Sequence, residues 1–374
     1  MTAETRFTAR YFDGRTARPQ DVSIALTGDG IAIYLETGAL LATWALDKIV
    51  LAERPRPEEP ARIGLEGTTA RLILEDAAVL LRLAEIAPAA ARRVRTNRRT
   101  VLKVGAWAGL AIAALAVIVL VLIPLLSDQL AARTPERVKR SIGDAALTEV
   151  VDILPRLPSE SGPVKFCLNV AGIQALQDLA NRLMQDVATE SDIRTHLISA
   201  RLVNAFALPG GIVVLTDGLL QSAESPDEIA GILAHEIGHV IHAHPTQAIF
   251  RTTAVSLLIS ALIGDFTGGV LIAGVAEWVL NSAYSRDAER EADQFAIDRL
   301  NAVGIDGKGL TRFFERLLEE YEQDTENPAL RLISTHPPTR ERMEFIRSQT
   351  RATGASMTPQ AWKDLKNACQ VTLN

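Results

Sequence analysis

A run of 23 residues without a charged side chain, from Val104 to Leu126, restricts this chain more than any other feature. As an α-helix it would be about 35 Å long, and the hydrocarbon layer of a membrane is only ~30 Å thick. A buried helix of a soluble domain is the alternative, but such helices seldom lack a polar face. The run therefore predicts a single transmembrane helix over residues 104–126.

Basic residues are concentrated just before this predicted helix. Residues 91–103 contain Arg92, Arg93, Arg95, Arg98, Arg99 and Lys103. Basic residues after the helix begin farther out and are mixed with Asp128 and Glu136. Because cytoplasmic flanks are enriched in lysine and arginine, this bias predicts a cytoplasmic N-terminus. The opposite orientation, with residues 127–374 in the cytoplasm, is the alternative.

The two parts of the chain on either side of residues 91–103 and the predicted helix have different patterns. Residues 1–90 contain short apolar segments such as "GIAIYLE" and "ARLILED" between turn-forming residues, which predicts a small β-rich domain. Residues 127–374 combine a helical apolar stripe with two or three β segments in "RTHLISARLVNAFALPGGIVVLTDGLL". We therefore expect an α+β domain there, mostly helical with a small sheet. The hydrophobic content of 48% and the net charge of −6 argue against a disordered chain and against nucleic-acid binding.

Both cysteines, Cys167 and Cys369, follow the predicted transmembrane helix. In an oxidising compartment they could form a disulfide that ties the C-terminal tail to the start of the domain. Two unpaired thiols are equally compatible with the sequence. The spacing does not show whether the two Cα atoms come within ~7 Å of each other.

A helix start precedes the histidine-rich segment "LAHEIGHVIHAH", residues 233–244. Ser225 is suited to cap a helix, and Pro226 suits the first helical position. Glu228 follows the cap by three residues, which completes a capping box. The pattern predicts one helix that continues to Pro245.

The segment contains the motif H-E-x-x-H. On a helix, His235 and His239 lie one turn apart on the same face, so their imidazoles could bind one zinc ion. Glu236 stands where the motif has its catalytic glutamate. His242 lies about 10 Å farther along the axis than His235. His244 would project from roughly the opposite side of the helix, so we expect both of these histidines to be structural.

A catalytic zinc site needs a third protein ligand and one open position. The segment "YSRDAEREADQFAIDRLNAVG" predicts a second helix, with Ser285 near its start and Gly304 near its end. Glu289 and Asp293 lie one turn apart on this helix, so one could bind the metal while the other orients a ligand histidine. Glu291 lies roughly 160° from Asp293 around the helix, which argues against a place at the site.

Four motifs, "NAFALPGG", "LAHEIGHV", "SRDAEREAD" and "STHPPTRER", resemble in this order those of a gluzincin family of peptidase family M48 type. The family includes the HtpX heat-shock protease, the type I CAAX prenyl protease and periplasmic quality-control peptidases. The similarity covers about residues 140 to 350 and implies a zincin-like fold with one Zn²⁺ per chain. The zinc ligands that it implies are His235, His239 and Glu289, with Glu236 as the general base and Asp293 in contact with a ligand histidine.

The resemblance also points to residues that could contact a substrate. In such enzymes an edge strand lines the cleft, and "LVNAFALPGG" occupies that place, so Asn204, Phe206 and Gly210 are candidates. An ordinary hairpin with no substrate is the alternative. His336, in "STHPP", is a tentative catalytic residue that either approaches the metal or steadies the oxyanion, with a packing role as the alternative.

A hydrophobic insertion, residues 253–280, lies between the two predicted metal-binding helices. The segment "GDFTGG" splits it into two apolar pieces, each too short to span a bilayer. Core helices, a flap over the cleft and a hairpin that dips into the bilayer remain three alternatives.

These observations predict a membrane-anchored zinc endopeptidase that hydrolyses peptide bonds. The apolar run and the basic flank predict a single-pass protein of a bacterial inner membrane with a periplasmic peptidase domain, and the resemblance implies misfolded envelope proteins as substrates. Its expected partners are polypeptide substrates and the lipid bilayer, while its oligomeric state stays open. A non-proteolytic, membrane-anchored chaperone or assembly factor that uses the same cleft is the alternative.

Overall fold

A computed structural model describes residues 6–51, 60–86, 98–157, 160, 162–264, 283–323 and 331–370. The chain divides into two compact units, Met1–Ala113 and Ala114–Asn374. Most of the predicted linker and residues 265–280 of the hydrophobic insertion lie outside the described residues.

An antiparallel sheet of seven strands forms the first unit, in the order β4-β3-β2-β1-β7-β6-β5. Apolar residues such as Ile24, Ile33 and Leu72 are fully buried on one face of this sheet. Val79 and Leu83 of the following helix belong to the same cluster, so that helix covers the face. The elements are β1 (Arg6–Phe12), β2 (Gln20–Leu26), β3 (Gly30–Leu35), β4 (Leu40–Ala45), β5 (Ile49–Leu51), β6 (Ala61–Leu65), β7 (Arg71–Leu74) and α1 (Ala77–Ile86).

A long apolar helix includes the residues predicted to span a membrane. It consists of α2 (Arg98–Val117), a π-helical segment (Ile118–Leu122) and α3 (Ile123–Arg133). Only 6% of its most apolar 18-residue window is buried. By length and composition it could cross a membrane, and it is the only such helix in the described part of the chain.

The second unit packs helices on both faces of a three-stranded sheet with the order β8-β10-β9. Strand β10 runs parallel to β8 and antiparallel to β9, which makes β9 an edge strand. Coverage of both faces explains the nearly continuous apolar runs of β9 and β10. The elements are α4 (Glu136–Ile153), α5 (Val170–Leu183), β8 (Arg194–Ile198), β9 (Ala205–Leu208), β10 (Ile212–Thr216), α6 (Asp217–Ser222), α7 (Pro226–Ile241), α8 (His244–Ile263), α9 (Arg286–Ala302), α10 (Lys308–Gln323), α11 (Arg331–Thr335), α12 (Arg340–Gln349) and α13 (Pro359–Lys366).

The two cysteines form a disulfide, which was one of the two alternatives for the sequence. The Cα atoms of Cys167 and Cys369 are 4.5 Å apart. The bond joins the segment before α5 to the segment after α13, and these two helices also pack against each other.

Helix α7 begins at Pro226 as predicted, but its cap differs from the predicted capping box. The Ser225 side chain makes no capping hydrogen bond. The Glu228 carboxylate instead accepts hydrogen bonds from the Glu224 amide at 3.0 Å and from Arg316 at 2.7 Å. A charge-assisted bond to a guanidinium is stronger than a neutral one, which explains why Glu228 turns towards Arg316.

The predicted continuation of α7 to Pro245 is wrong. The helix ends at Ile241, and Ala243 has a positive φ of 57° before α8 begins at His244. This break changes the direction of the chain immediately after the H-E-x-x-H motif.

Candidate metal centre

Helix α7 runs through the interior of the second unit, and every residue from Glu228 to Val240 is buried. Its close approach to α9 depends on Gly238. A Cβ atom added there would lie 2.9 Å from Cα of Ala292. The glycine therefore lets the histidine-bearing face of α7 lie directly against the face of α9 that carries Glu289 and Asp293.

Four buried side chains converge where these helices meet. His235 and His239 come from α7, Glu289 comes from α9, and His336 follows α11. One potential ligand atom from each lies within 4.8 Å of the others. The structure thus brings together the three residues predicted as zinc ligands and adds His336 to them.

The separations of these atoms suit one tetrahedral zinc ion. Nε2 of His235 is 3.0 Å from Nε2 of His239 and 3.3 Å from Nδ1 of His336. Glu289 oxygens lie 3.5 Å from Nε2 of His235, 3.4 Å from Nε2 of His239 and 3.1 Å from Nδ1 of His336. Ligands about 2.0–2.1 Å from a tetrahedral zinc ion are roughly 3.3 Å apart. The residues present therefore fit a zinc ion.

Asp293 lies behind His235. Its Oδ1 is 2.9 Å from Nδ1 of His235, the ring nitrogen that faces away from the ligand cluster. Arg342 of α12 binds both Asp293 oxygens, at 2.7 and 2.9 Å, and also pairs with Glu289. Because the Arg342 side chain is 9% exposed, it supplies a buried positive charge to two buried carboxylates. Arg342 is the last residue of the motif "STHPPTRER", but the motif alone predicts no role for it.

A second group of residues lies behind His239. Its Nδ1 is 2.9 Å from Nδ1 of His244, whose Nε2 is 3.0 Å from Oε2 of Glu291. Tyr284 stacks on the His239 ring, with centroids 4.0 Å apart. The predicted position of His244 on the opposite side is wrong because the helix breaks at Ile241. Glu291 does point away from the ligand cluster, as its helical angle predicted, and it meets His244 there.

The buried charges of the site are strongly coupled. Burial would lower the pKa of His235, but its contacts with Asp293 and Glu289 outweigh this effect and raise the pKa to about 10. Burial lowers the pKa of His239 well below its usual range, despite the neighbouring Glu289. Burial would raise the pKa of Glu289, but His336 and the other two histidines hold it well below its usual range. The site therefore keeps a buried carboxylate ionised, which favours a cation.

Glu236 is fully buried beside this cluster and on the side of the sheet. Its Oε1 is 3.4 Å from Nε2 of His336, and the backbone amide of Ala207 in β9 faces its carboxylate. Burial raises the pKa of Glu236, although His336 and His235 partly oppose the shift. A carboxylate with a raised pKa accepts a proton more readily near neutral pH.

The structure places the three predicted substrate residues differently. Asn204 is fully buried immediately before β9. The side chain of Phe206 packs in the cluster that contains α4, away from the face that Ala205 and Ala207 turn to α7. Gly210 lies in the β9–β10 turn with a positive φ of 72°, packed against Arg140. The side chain of Phe206 is therefore not brought to the histidines, and a substrate contact of this strand would involve its backbone.

An H-E-x-x-H helix that meets a glutamate-bearing helix at four buried ligand atoms defines a zincin-type metal site. The sequence profile of peptidase family M48 matches residues 173–350, which contain every residue of this site. A second profile, a domain of unknown function (DUF7092), matches residues 6–87. The chain belongs to peptidase family M48.

Metalloprotease YcaL of Escherichia coli is 34% identical over 154 residues, which are 39% of this chain and 58% of the relative. Metalloprotease LoiP of Escherichia coli is 30% identical over 187 residues, 48% of this chain and 71% of the relative. The beta-barrel assembly-enhancing protease of Yersinia pestis is 29% identical over 191 residues, 47% of this chain and 38% of the relative. The chain thus spans between 38% and 71% of the length of these relatives.

Proposed function

We propose that the protein is a zinc-dependent endopeptidase. The observation that carries this proposal is the buried group of His235, His239 and Glu289, whose ligand atoms lie 3.0 to 3.5 Å apart, as three ligands of one tetrahedral zinc ion would. His235, His239 and Glu289 would hold the metal. His336 lies beside these three ligands and Glu236, while a catalytic site leaves the fourth position of the metal to water.

Zinc would polarise the carbonyl of the scissile peptide bond and increase the acidity of water. Glu236 would act as the general base, taking a proton from the attacking water and passing it to the leaving amine. Its burial and raised pKa suit both steps, since the proton must be accepted and then released. Asp293 and Arg342 hold the His235 ring in place through the contacts described above.

Replacement of Glu236 by Gln tests this assignment. We expect the variant to bind zinc as the wild type does and to lose cleavage of unfolded casein. Glu224→Gln is the matched control, because this carboxylate precedes the same helix and its side chain is 71% exposed. Wild-type cleavage by Glu236→Gln under zinc-replete conditions would show that the base is another group. A wild-type protein that binds zinc and holds casein without cutting it would favour the chaperone alternative.

We propose polypeptides as substrates, with misfolded envelope proteins as the physiological class. The name of the Yersinia pestis relative, a beta-barrel assembly-enhancing protease, supports an envelope substrate. A cavity of about 570 Å³ opens beside Glu289 and Asp293, with Pro337, Arg340 and Phe345 also in its wall. A substrate side chain in this cavity would lie next to Glu289, but the wall contains neither His235, His239 nor Glu236, so the scissile bond would lie elsewhere.

We propose that residues 104–126 anchor the chain in the bacterial inner membrane. Residues 1–90 would then lie in the cytoplasm, and residues 127–374, the peptidase domain, would lie in the periplasm. Residues 91–103 would form the basic linker. The exposed apolar helix supports the anchor, and the Cys167–Cys369 disulfide supports an oxidising compartment. Digestion of the peptidase domain by added protease in spheroplasts, but not in intact cells, is the expected result. Protection in spheroplasts would place this domain in the cytoplasm.

Helix α8 supports a peptidase domain held close to the bilayer. It packs along α3, and Arg251 of α8 pairs with Asp128 of α3. Leu257, Ile259 and Leu262 of α8 are exposed, by 47 to 67% of their surface. We propose that these side chains contact lipid beside the anchor helix, which favours the membrane-dipping alternative for the start of the insertion.

A further inference from the structure

We propose that His244, held by Glu291, is a positioning residue for His239. The pair would fix the proton and the ring orientation of His239, so that Nε2 is presented to the metal. The inference rests on the proposed zinc site and adds a hydrogen-bonded chain to it that runs from Glu291 through His244 to His239.

The two ring nitrogens of His239 face different neighbours. Nε2 lies 3.0 Å from Nε2 of His235 and 3.4 Å from Glu289, inside the ligand cluster. Nδ1 points the other way and is 2.9 Å from Nδ1 of His244. The second nitrogen of His244, Nε2, is 3.0 Å from Oε2 of Glu291. His244 is 4% exposed, whereas the Glu291 side chain is 55% exposed and can stay ionised in water.

One arrangement of protons on two neutral imidazoles satisfies all these contacts. An ionised carboxylate only accepts hydrogen bonds, so Nε2 of His244 must carry its proton and donate to Glu291. Nδ1 of His244 is then an acceptor, and Nδ1 of His239 donates to it. This leaves the lone pair of His239 Nε2 directed into the ligand cluster, as a metal ligand requires.

The two ligand histidines of α7 are therefore supported in different ways. Nδ1 of His235 faces the Asp293 carboxylate directly, at 2.9 Å. The ring of His239 does not contact a carboxylate through Nδ1, because the imidazole of His244 lies between it and Glu291. A metal-binding histidine commonly donates its other N–H to an acceptor that sets its tautomer, and His244 supplies that acceptor here.

The backbone conformation that brings His244 to this position is unfavourable. Ala243 lies in the left-handed region, with φ 57° and ψ 23°, which costs an alanine roughly 1–2 kcal/mol. On an uninterrupted helix, His244 would be on the far side of α7. The break at Ile241 and the conformation of Ala243 place it against His239 as the first residue of α8.

His242 provides a matched control within the same turn. Its Nδ1 is 3.6 Å from Oε2 of Glu291, and its side chain is 37% exposed. Its ring stacks on His244 but faces Glu291 rather than His239. A substitution of His242 therefore changes the same turn and the same carboxylate without removing the acceptor of His239.

The experiment measures zinc affinity of the full-length protein in detergent by competition with a chelating dye. We expect His244→Phe, which keeps the ring shape without an acceptor, to raise the Kd for zinc by about 10–100-fold. His242→Phe should leave it within about threefold of wild type. His244→Gln, whose side-chain oxygen can accept a hydrogen bond, should recover part of the loss. If His244→Phe does not fold, His244→Gln and Glu291→Ala can be compared with His242→Phe instead. Each of these two variants weakens one hydrogen bond of the series from Glu291 through His244 to His239.

A double variant tests whether Glu291 and His244 act as one unit. Glu291→Ala alone should weaken zinc binding less than His244→Phe, and the double variant no more than His244→Phe alone. Wild-type affinity of His244→Phe, or equal losses in His242→Phe, would overturn the inference. A wild-type protein that binds no zinc would instead refute the proposed function, so the two failures are distinguishable.

Discussion

Gly238→Ala should disturb the metal centre through the packing of α7 on α9. The added Cβ would lie 2.9 Å from Cα and 3.0 Å from the carbonyl oxygen of Ala292. Carbon atoms in contact prefer about 3.5–4.0 Å, so α9 must retreat by roughly 0.5–1 Å. Overpacking of this kind costs about 1–3 kcal/mol, against a gain of up to ~1 kcal/mol in helix propensity.

The displacement falls on the ligand-bearing part of α9. Glu289 precedes Ala292 by one turn and Asp293 follows it directly, so both would move relative to His235 and His239. A misplacement of about 1 Å can reduce catalysis by ~100-fold. We therefore expect Gly238→Ala to lose zinc affinity and casein cleavage by at least tenfold, measured by dye competition and by the rate of casein digestion.

Gly231→Ala is the matched control on the same helix. Its Cβ would lie 2.7 Å from Cβ of Leu310 in α10, so it overpacks α7 on a helix that carries no metal ligand. Both variants should lower the urea midpoint, but only Gly238→Ala should lose zinc affinity at a urea concentration where each is folded. Wild-type zinc affinity in Gly238→Ala would show that the spacing of α7 and α9 at this residue does not position the ligands.

Three further predictions concern stability. Burial would raise the pKa of Asp293, but hydrogen bonds from Arg342 and His235 outweigh burial and lower this pKa. The ionised carboxylate of Asp293 therefore stabilises the fold at pH values above the unfolded pKa of about 4. This stabilisation is lost as the pH falls through the pKa that Asp293 has in the folded protein. The urea midpoint of the metal-stripped wild type should therefore fall more steeply from pH 5 to pH 3 than the urea midpoint of Asp293→Asn. Cys167→Ser opens a disulfide between residues 202 positions apart and should cost about 2–5 kcal/mol in urea unfolding, an effect that reductant reproduces in the wild type. Thr216→Val removes a buried hydroxyl that accepts a hydrogen bond from the backbone N–H of Asn204 at 3.1 Å and donates one to a backbone carbonyl. This substitution should lower the free energy of urea unfolding by about 1–3 kcal/mol and leave zinc affinity unchanged.

Much of the second unit could be predicted from local pattern. Apolar segments and the turn residues Pro209-Gly210-Gly211 predicted two or three β segments within residues 194–216, and the structure has three strands there, with β9 at the edge. The proline at 226 and the serine at 285 marked the starts of the two site helices, and Ser285 does accept a hydrogen bond from Ala288. These features depend on neighbours in the sequence, which is why pattern reveals them.

Other parts of the site depend on contacts that the sequence does not show. Alanine rarely adopts the left-handed conformation, so the sequence does not predict the positive φ of Ala243. A helix extended through Ala243 would place His244 on the side of α7 opposite to His235. Arg342 lies 49 positions from Asp293, and its place behind the metal group follows only from the packing of α12 on α9. The helical angle of Glu291 predicts that it points away from the metal, and in the structure it does so and contacts His244.

The most direct test of the central claim is the zinc content of the purified full-length protein, measured by elemental analysis together with casein digestion. We expect one zinc ion per chain, loss of digestion when a chelator removes it, and recovery when one equivalent of zinc is restored. Digestion that persists in fully chelated, zinc-free protein would contradict it.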